Sequence, residues 1–272
     1  MTAHESVLAG EVVEWLGLVP GKTAVDGTLG LGGHAERMLE RLGPEGRLVG
    51  FDKDPESLKE ARKRLARFGD RAVIIHDDFK NMGVHLGRLN ISKVAAILLD
   101  LGVSSPQLDV AERGFSFQNS GPLDMRMNSE QSLTARQIIN TYPKNELEKI
   151  LFDLGEERYS RRIVSKIDET RSRRPIETTA ELEQIIFHSV PRQYRYGRIH
   201  PATRTFQALR MAVNGELESL EALLAEAADW LETDGRMAVI SSYERFCVNW
   251  FSFIRWKIGW LNGRSGRTKI KN

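Results

Sequence analysis

Ala95-Ala96-Ile97-Leu98-Leu99-Asp100-Leu101-Gly102-Val103-Ser104-Ser105-Pro106-Gln107 begins as a continuous apolar run, stops at an acid, and opens into Gly, two Ser and Pro. The run is too short for most helices, and the turn-forming residues after it mark a buried strand that ends in a polar loop. Loops at the carboxyl ends of strands are where α/β folds place their chemistry. Pro106 biases Ser105 toward an extended backbone. That conformation presents the serine hydroxyls and nearby carbonyls as fixed acceptors, suited to a substrate with N–H donors. An ordinary strand and turn would use the same residues, so the surrounding chain decides between the two.

Outward from this run, apolar segments at Thr23–Asp26, Arg47–Asp52, Ala72–His76 and Val94–Asp100 alternate with amphipathic stretches near His34–Leu42 and Pro55–Phe68. This alternation is the βαβ pattern of a doubly wound parallel sheet. Asp54 followed by Pro55 is a helix start, with a capping acid and a proline at the first helical position. From about Leu108 to Ile199 no strand pattern appears. Helical patterns fall near Thr134–Tyr142, Lys144–Leu154, Glu156–Ser172 and Thr179–Ser189, the last opened by the capping-box sequence Thr178-Thr179-Ala180-Glu181. A long helix over about Thr203–Leu231, a turn at Thr233-Asp234-Gly235 and a strand Met237–Ser241 resume the α/β pattern. The spacing therefore predicts a sheet domain over residues 1–107 and 200–262. An all-helical domain is inserted at 108–199, and 263–272 form a basic tail.

The chain has 272 residues, 41% hydrophobic and 28% charged, enough for a large core and a second, smaller one. No stretch is apolar and long enough to span a bilayer, and Met1-Thr2-Ala3-His4-Glu5 lacks the pattern of a signal peptide, so a cytoplasmic location is expected. One cysteine, Cys247, excludes an internal disulfide framework, and the six histidines have no metal-ligand spacing, so no metal is expected. The net charge of +2 conceals an asymmetry. Between Arg158 and Arg210 twelve basic residues face five acidic ones, and the remainder of the chain is acidic. A basic segment on an acidic protein is the electrostatic footprint of a polyanion partner, or else a set of solvated helix faces.

Val25-Asp26-Gly27-Thr28-Leu29-Gly30-Leu31-Gly32-Gly33-His34 joins the first strand to the first helix. Its glycines permit close approach of backbone to a ligand. The spacing differs from the dinucleotide G-x-G-x-x-G, and an acid at the strand end suits a cationic or zwitterionic ligand better than a pyrophosphate. Asp52 ends the second strand, twenty residues after Gly32, where an acid accepts the hydroxyls of a nucleoside ribose. His76-Asp77-Asp78-Phe79 adds polar groups and an aromatic at the end of the third strand, suited to an adenine ring or to plain core packing. In combination these features describe S-adenosylmethionine better than a nicotinamide dinucleotide, for which no catalytic His or Tyr-Lys pair is evident.

These residues resemble the bacterial 16S ribosomal RNA (cytosine-N4)-methyltransferase family. The similarity runs from about His4 to Ser241. It is carried by Val25–His34, Asp52-Lys53-Asp54-Pro55, Ile97–Asp109, Glu112-Arg113-Gly114-Phe115-Ser116-Phe117, Gly121-Pro122-Leu123-Asp124-Met125-Arg126-Met127, Gly155-Glu156-Glu157-Arg158 and His200-Pro201-Ala202-Thr203-Arg204-Thr205-Phe206-Gln207. The resemblance implies a class I methyltransferase sheet with an inserted helical domain. It also implies methylation of a decoding-centre cytidine in the 16S rRNA of the small ribosomal subunit. By that analogy the donor contacts fall on Gly32, Gly33, His34, Asp52, Phe79, Asp100 and Gln107. Acceptors in the loop from Asp100 to Pro106, Ser104 or Ser105 or a backbone carbonyl beside them, are expected to bind the target amine, and the basic helices and Arg204 the RNA phosphates. After Ser241 the chain departs from the family pattern, reading Ser242-Tyr243-Glu244-Arg245-Phe246 and then an aromatic stretch that includes Trp250, Phe251, Phe253, Trp256 and Trp260. A non-enzymatic RNA-binding protein and a DNA amino-methyltransferase are the competing readings. The inserted helices and His200–Gln207 argue against the second.

Overall fold

A computed structural model of the chain describes residues 9–241 and 258–261. In chain order the main elements are α1 (Ala9–Leu16), β1 (Thr23–Asp26), α2 (Gly33–Leu42), β2 (Arg47–Asp52), α3 (Pro55–Leu65), β3 (Ala72–His76), α4 (Met82–Arg88) and β4 (Val94–Leu101). They continue with α5 (Ser105–Asp109), α6 (Ala135–Thr141), α7 (Lys144–Lys149), α8 (Ser160–Arg171), α9 (Thr179–Ser189), α10 (Arg192–Arg195), α11 (Ala202–Asn214), α12 (Glu216–Trp230), β5 (Leu231–Ser241) and β6 (Ile258–Leu261). Cys247, the aromatic stretch up to Trp256 and the basic tail 263–272 lie outside the described residues.

The chain divides into two compact units, residues 1–102 with 219–272 and residues 103–218. The first holds a six-stranded sheet in the order β3-β2-β1-β4-β5-β6 with every pairing parallel. Side chains alternate between its two faces with the period of a strand. Ala96 and Leu98 of β4 join Met38, Leu39, Leu58 and Ala61 of α2 and α3 on one face. Ile97 and Leu99 join Met82 and Leu86 of α4 and Leu220 and Leu223 of α12 on the other. A strand buried on both faces has no polar side to show, which is why its sequence reads as an unbroken apolar run. The strand order reverses direction between β1 and β4, and the carboxyl ends flanking such a reversal form the ligand crevice of doubly wound sheets.

The second unit is helical and has its own core, with Ile138, Leu147, Ile163, Ile167, Leu182, Phe206 and Leu209 buried together. Among its described residues there is no strand, only an isolated antiparallel bridge between Pro122 and Thr178. Buried Asn214 stitches the loop that precedes α6. Its Nδ2 donates to the Met125 and Arg210 carbonyls at 2.8 Å each, and its Oδ1 accepts from the Met127 N–H at 2.8 Å. Asp124 and Arg126 of the same loop pair through two bonds of 2.8 and 2.7 Å. Partial burial works against the Asp124 carboxylate, and the Arg126 bonds overcome it and hold its pKa below the usual value.

The structure revises several expected boundaries. The long helix over Thr203–Leu231 is two helices, because Gly215 closes α11 in the left-handed conformation (φ 59°) with its N–H on the Met211 carbonyl. Only glycine takes that backbone without strain. The units accordingly divide at 102/103 and 218/219 instead of 107/108 and 199/200, and α11 belongs to the helical core. β5 starts at Leu231, ahead of the expected Met237, and the expected turn at Thr233-Asp234-Gly235 is present within those bounds as a break in pairing: Val94 faces Leu231, Ala96 faces Arg236, and Asp234 has φ 64°. The helix expected from Glu156 starts at Ser160, because Glu156 itself has φ 51°. Ser105 is not extended ahead of Pro106. It is the first residue of α5, and the extended residue is the cap, Ser104, with φ −76° and ψ 154°.

Replacing Asn214 with alanine removes the partners of buried backbone groups, each worth about 1–3 kcal/mol when left unsatisfied. The Asn214→Ala variant is expected to lose several kcal/mol of unfolding free energy in a urea titration. A value within about 0.5 kcal/mol of the parent would mean that this loop is not held by the amide.

Candidate active site

At the carboxyl end of β1 the chain turns through Asp26, Gly27 and Thr28, with the Gly27 N–H on the Leu98 carbonyl and the Leu29 N–H on the Phe51 carbonyl, 2.8 Å each. These bonds tie the glycine loop to the ends of β4 and β2. Gly32 then takes the left-handed conformation (φ 80°) immediately before α2. The Thr28 hydroxyl accepts the Asp100 N–H at 2.6 Å, which fixes the end of β4 against the loop.

Three carboxylates and a histidine meet here. Asp26 is buried, and its Oδ1 accepts from the Thr28 N–H at 3.2 Å. Its Oδ2 is buried without a hydrogen-bond partner among the described residues, as are both ring nitrogens of His34. Burial pushes the Asp26 carboxyl up to about 7, opposed by His34 and the Thr28 N–H and reinforced by the charges of Asp100 and Asp52. His34 Nε2 stands 3.5 Å from Asp100 Oδ2, too far and poorly aligned to bond. Asp52, at the end of β2, accepts from the Gly30 N–H at 2.6 Å and the Asp54 N–H at 2.8 Å. Burial nonetheless raises its pKa to about 6, because removal from water outweighs those two bonds.

Behind this group the end of β3 is occupied by its own contacts. Asp77 Oδ2 lies 2.7 Å from His85 Nε2, and Asp77 Oδ1 accepts from Asn81 at 2.9 Å. Partial burial opposes the charge, and these bonds prevail and lower the Asp77 pKa. Asp78 accepts from Lys53 Nζ at 2.6 Å and from the Ser219 hydroxyl at 2.5 Å, joining β2, the loop after β3 and α12. Phe79 is buried in the core with Val25, Phe51 and Leu99.

Of the residues singled out from the sequence, Gly32, Gly33, His34, Asp52 and Asp100 lie on the loop and strand ends just described, and Phe79 lies in the core beneath. Ser104, Ser105, Pro106 and Gln107 form the first turn of α5 in the second unit. The Gln107 side chain accepts the Ser104 N–H at 3.0 Å and so caps that turn. The Gln107 N–H goes to the Ser104 carbonyl at 3.1 Å, and Ser104 Oγ is buried with no hydrogen-bond partner among the described residues. Arg204 donates through Nη1 to the Glu156 carbonyl at 2.9 Å. Asp26 carries more of the site than the sequence indicated. Its signal was a lone acid at the end of an apolar strand, and its unpaired oxygen appears only in the fold.

Asp26 holds a proton in the folded chain up to about pH 7, whereas its ordinary value is 3.8. Folding therefore binds a proton between those limits, and stability drops as pH rises through that window. Asp26→Asn removes this cost. It is expected to raise the unfolding free energy relative to the parent by on the order of 2 kcal/mol more at pH 8 than at pH 5. A difference independent of pH in paired thermal melts would place the ionised carboxylate in a solvated setting.

The three orphaned polar atoms are the feature that calls for a ligand, because buried polar groups without partners are rare in folded proteins. A zwitterion fits this set: its ammonium brings N–H donors and a positive charge to the Asp26 oxygen, which lowers the Asp26 pKa, and its carboxylate can accept a His34 ring N–H. The described residues thus fit the zwitterionic end of S-adenosylmethionine. A family model described as the MraW methylase family matches residues 1–252. Ribosomal RNA small subunit methyltransferase H of Syntrophotalea carbinolica is 49% identical over 238 residues, covering 88% of this chain and 76% of the relative. The protein of the same name from Geobacter sulfurreducens is 50% identical over 239 residues, covering 88% and 77%. The chain belongs to the MraW methylase family and is an S-adenosylmethionine-dependent methyltransferase.

Proposed function

We propose that the protein methylates N4 of a decoding-centre cytidine in the RNA of the small ribosomal subunit, in the cytoplasm. The observation that carries the reading is the buried, partly unpaired Asp26–His34 group between Asp52 and Asp100, in a chain about half identical to enzymes named for small-subunit rRNA methylation.

S-adenosylmethionine, when bound, supplies an electrophilic methyl group on a sulfonium. Asp26 and His34 hold its amino-acid end. Asp52 spends one lone pair on each backbone N–H and keeps others for the ribose hydroxyls. Gly32 and Gly33 bring backbone close to the ligand, and Phe79 supports the adenine side. Asp100 carries negative charge beside the sulfonium.

The cytosine amine is a weak nucleophile because its lone pair is delocalised into the ring. Acceptors for its N–H groups localise that pair, so catalysis is chiefly positioning. In this reading Ser104, Ser105 and the carbonyls before Pro106 accept the amine hydrogens, and Gln107 holds their turn in shape through the Ser104 N–H. The N–C bond forms as the C–S bond breaks, and the amine proton leaves to water. The base enters unstacked, from single-stranded or locally opened RNA.

Incubation with labelled donor and small subunits lacking the modification is expected to place label on one cytidine N4. Label on another base, or none, would overturn the assignment. Asp52→Ala is expected to weaken donor binding by about 100-fold in calorimetry, in keeping with two lost charge-assisted bonds. Because Asp52 protonates near 6, affinity of the parent should also fall as pH drops from 7 to 5. Undiminished affinity in the variant would remove the ribose role. Ser104→Ala with Ser105→Ala should lower kcat with donor affinity intact. Unaltered turnover would assign the amine contacts to backbone carbonyls alone.

A further inference from the structure

From Gln184 to Gly215 the chain has no acidic residue and five arginines. The structure shows which of the basic residues in this part of the second unit are already used. Arg161 pairs with Glu148 at 2.7 Å, Arg171 with Asp168 at 3.0 Å, Arg173 with Glu169 at 2.9 Å and Arg210 with Glu216 at 2.7 Å. These four arginines each have an acidic partner. Arg192 and Arg198 are exposed and form no ion pair among the described residues.

Between these two arginines lies an aromatic ledge. Tyr196 is 72% exposed, and Ile199 beside it is 41% exposed. Tyr196 meets Phe187 edge-on, with ring centroids 6.0 Å apart at 87°. Phe187 is also covered by the Arg195 guanidinium at 5.4 Å and faces His200 at 6.3 Å. His200 stacks on Phe117 at 4.7 Å. Tyr196 is thus held at its edge by packed rings while most of its surface stays in water. A single exposed aromatic is ordinary on a protein surface. One braced by other rings and flanked by unpaired arginines, in a segment without acids, is not.

We infer that this ledge is a binding surface for single-stranded RNA outside the target nucleotide, with a base stacked on Tyr196 and phosphates on Arg192 and Arg198. The inference rests on the RNA reading above and assigns a second contact for the same substrate. Stacking on an exposed ring accepts any base, and arginines on either side follow a sugar–phosphate backbone. Glu183 reaches this cluster at His200, 3.4 Å away and 13% exposed, and the segment 184–215 itself contributes arginines and no acid, which favours a polyanion over a second copy of this chain.

The test is binding of a fluorescent single-stranded RNA of about a dozen nucleotides to the full chain, with donor affinity measured in parallel. Tyr196→Ala is expected to weaken RNA binding about tenfold and Tyr196→Phe to retain it, since stacking needs the ring and not the hydroxyl. Arg192→Ala with Arg198→Ala should weaken binding similarly and reduce the salt slope by about 1.4, the value for two phosphates on a single strand. In methyl transfer to small subunits the same variants should raise KM with kcat and donor affinity intact. Parent-like RNA affinity and KM in all variants would overturn the ledge and leave the methyltransferase reading standing. Failure of the parent chain to methylate small-subunit RNA, with RNA binding sensitive to Tyr196, would overturn that reading and leave the ledge. Equal loss in Tyr196→Phe and Tyr196→Ala, or self-association that disappears in the variants, would also overturn the stacking proposal.

Discussion

A carboxylate with almost no contact with water, at the end of the first strand, sets the conditions for the catalytic unit. Asp26 is 1% exposed, and one of its oxygens has no hydrogen-bond partner among the described residues. The fold thus holds a group that is easier to bury protonated than charged. The sheet makes this possible by supplying hydrogen bonds elsewhere: Thr28 to Asp100, Gly30 to Asp52, Gly27 to Leu98. Each bond immobilises a strand end around Asp26 while leaving its Oδ2 unsatisfied. In the proposed reading a cation meets strand ends already fixed by the fold, so ordering costs of binding are met during folding.

The parts of this arrangement legible in the sequence are those with a local cause. Two-sided burial of β4 writes itself as an apolar run, Asp54-Pro55 starts α3 because the Asp54 side chain accepts the Glu56 N–H, and Thr178 with Glu181 caps α9 reciprocally. The positions of Gly32, Asp52 and Asp100 at strand ends follow from the same alternation. What the sequence left unreadable depends on contacts distant along the chain. Gly215 reads as an ordinary residue within a helical pattern until its carbonyl partners are seen, and the start of β5 at Leu231, ahead of the turn at Asp234, shows only in its pairing with Val94. Ser105 shows local rules in competition, with Pro106 disfavouring helix and the Gln107 side chain capping one. The cap prevails, because Ser104 takes the extended conformation instead.

Charge in the second unit illustrates why composition alone overstates an interface. Most of the basic residues between Arg158 and Arg210 hold a local partner, an acid on a helix surface or a backbone carbonyl, as with Arg171 on the Ile139 and Tyr142 carbonyls. Glu157 is buried among Tyr159, Tyr194 and nearby arginines. Burial raises its pKa, and that of Tyr194 is raised to about 12 by burial and by the Glu157 charge. These groups organise the helices and are poorly placed to meet a ligand.

Gly215 has a consequence for how the sequence can vary. Along a continuous helix, inserting one residue rotates everything downstream by about 100° and turns buried positions toward water. At Gly215 the helical phase is broken, and α11 presents Phe206 and Leu209 to one core while α12 presents Leu220 and Leu223 to another. The two helices can therefore accumulate length changes and shifts of apolar pattern independently, with a single glycine acting as the joint that keeps an error in one from propagating into the other.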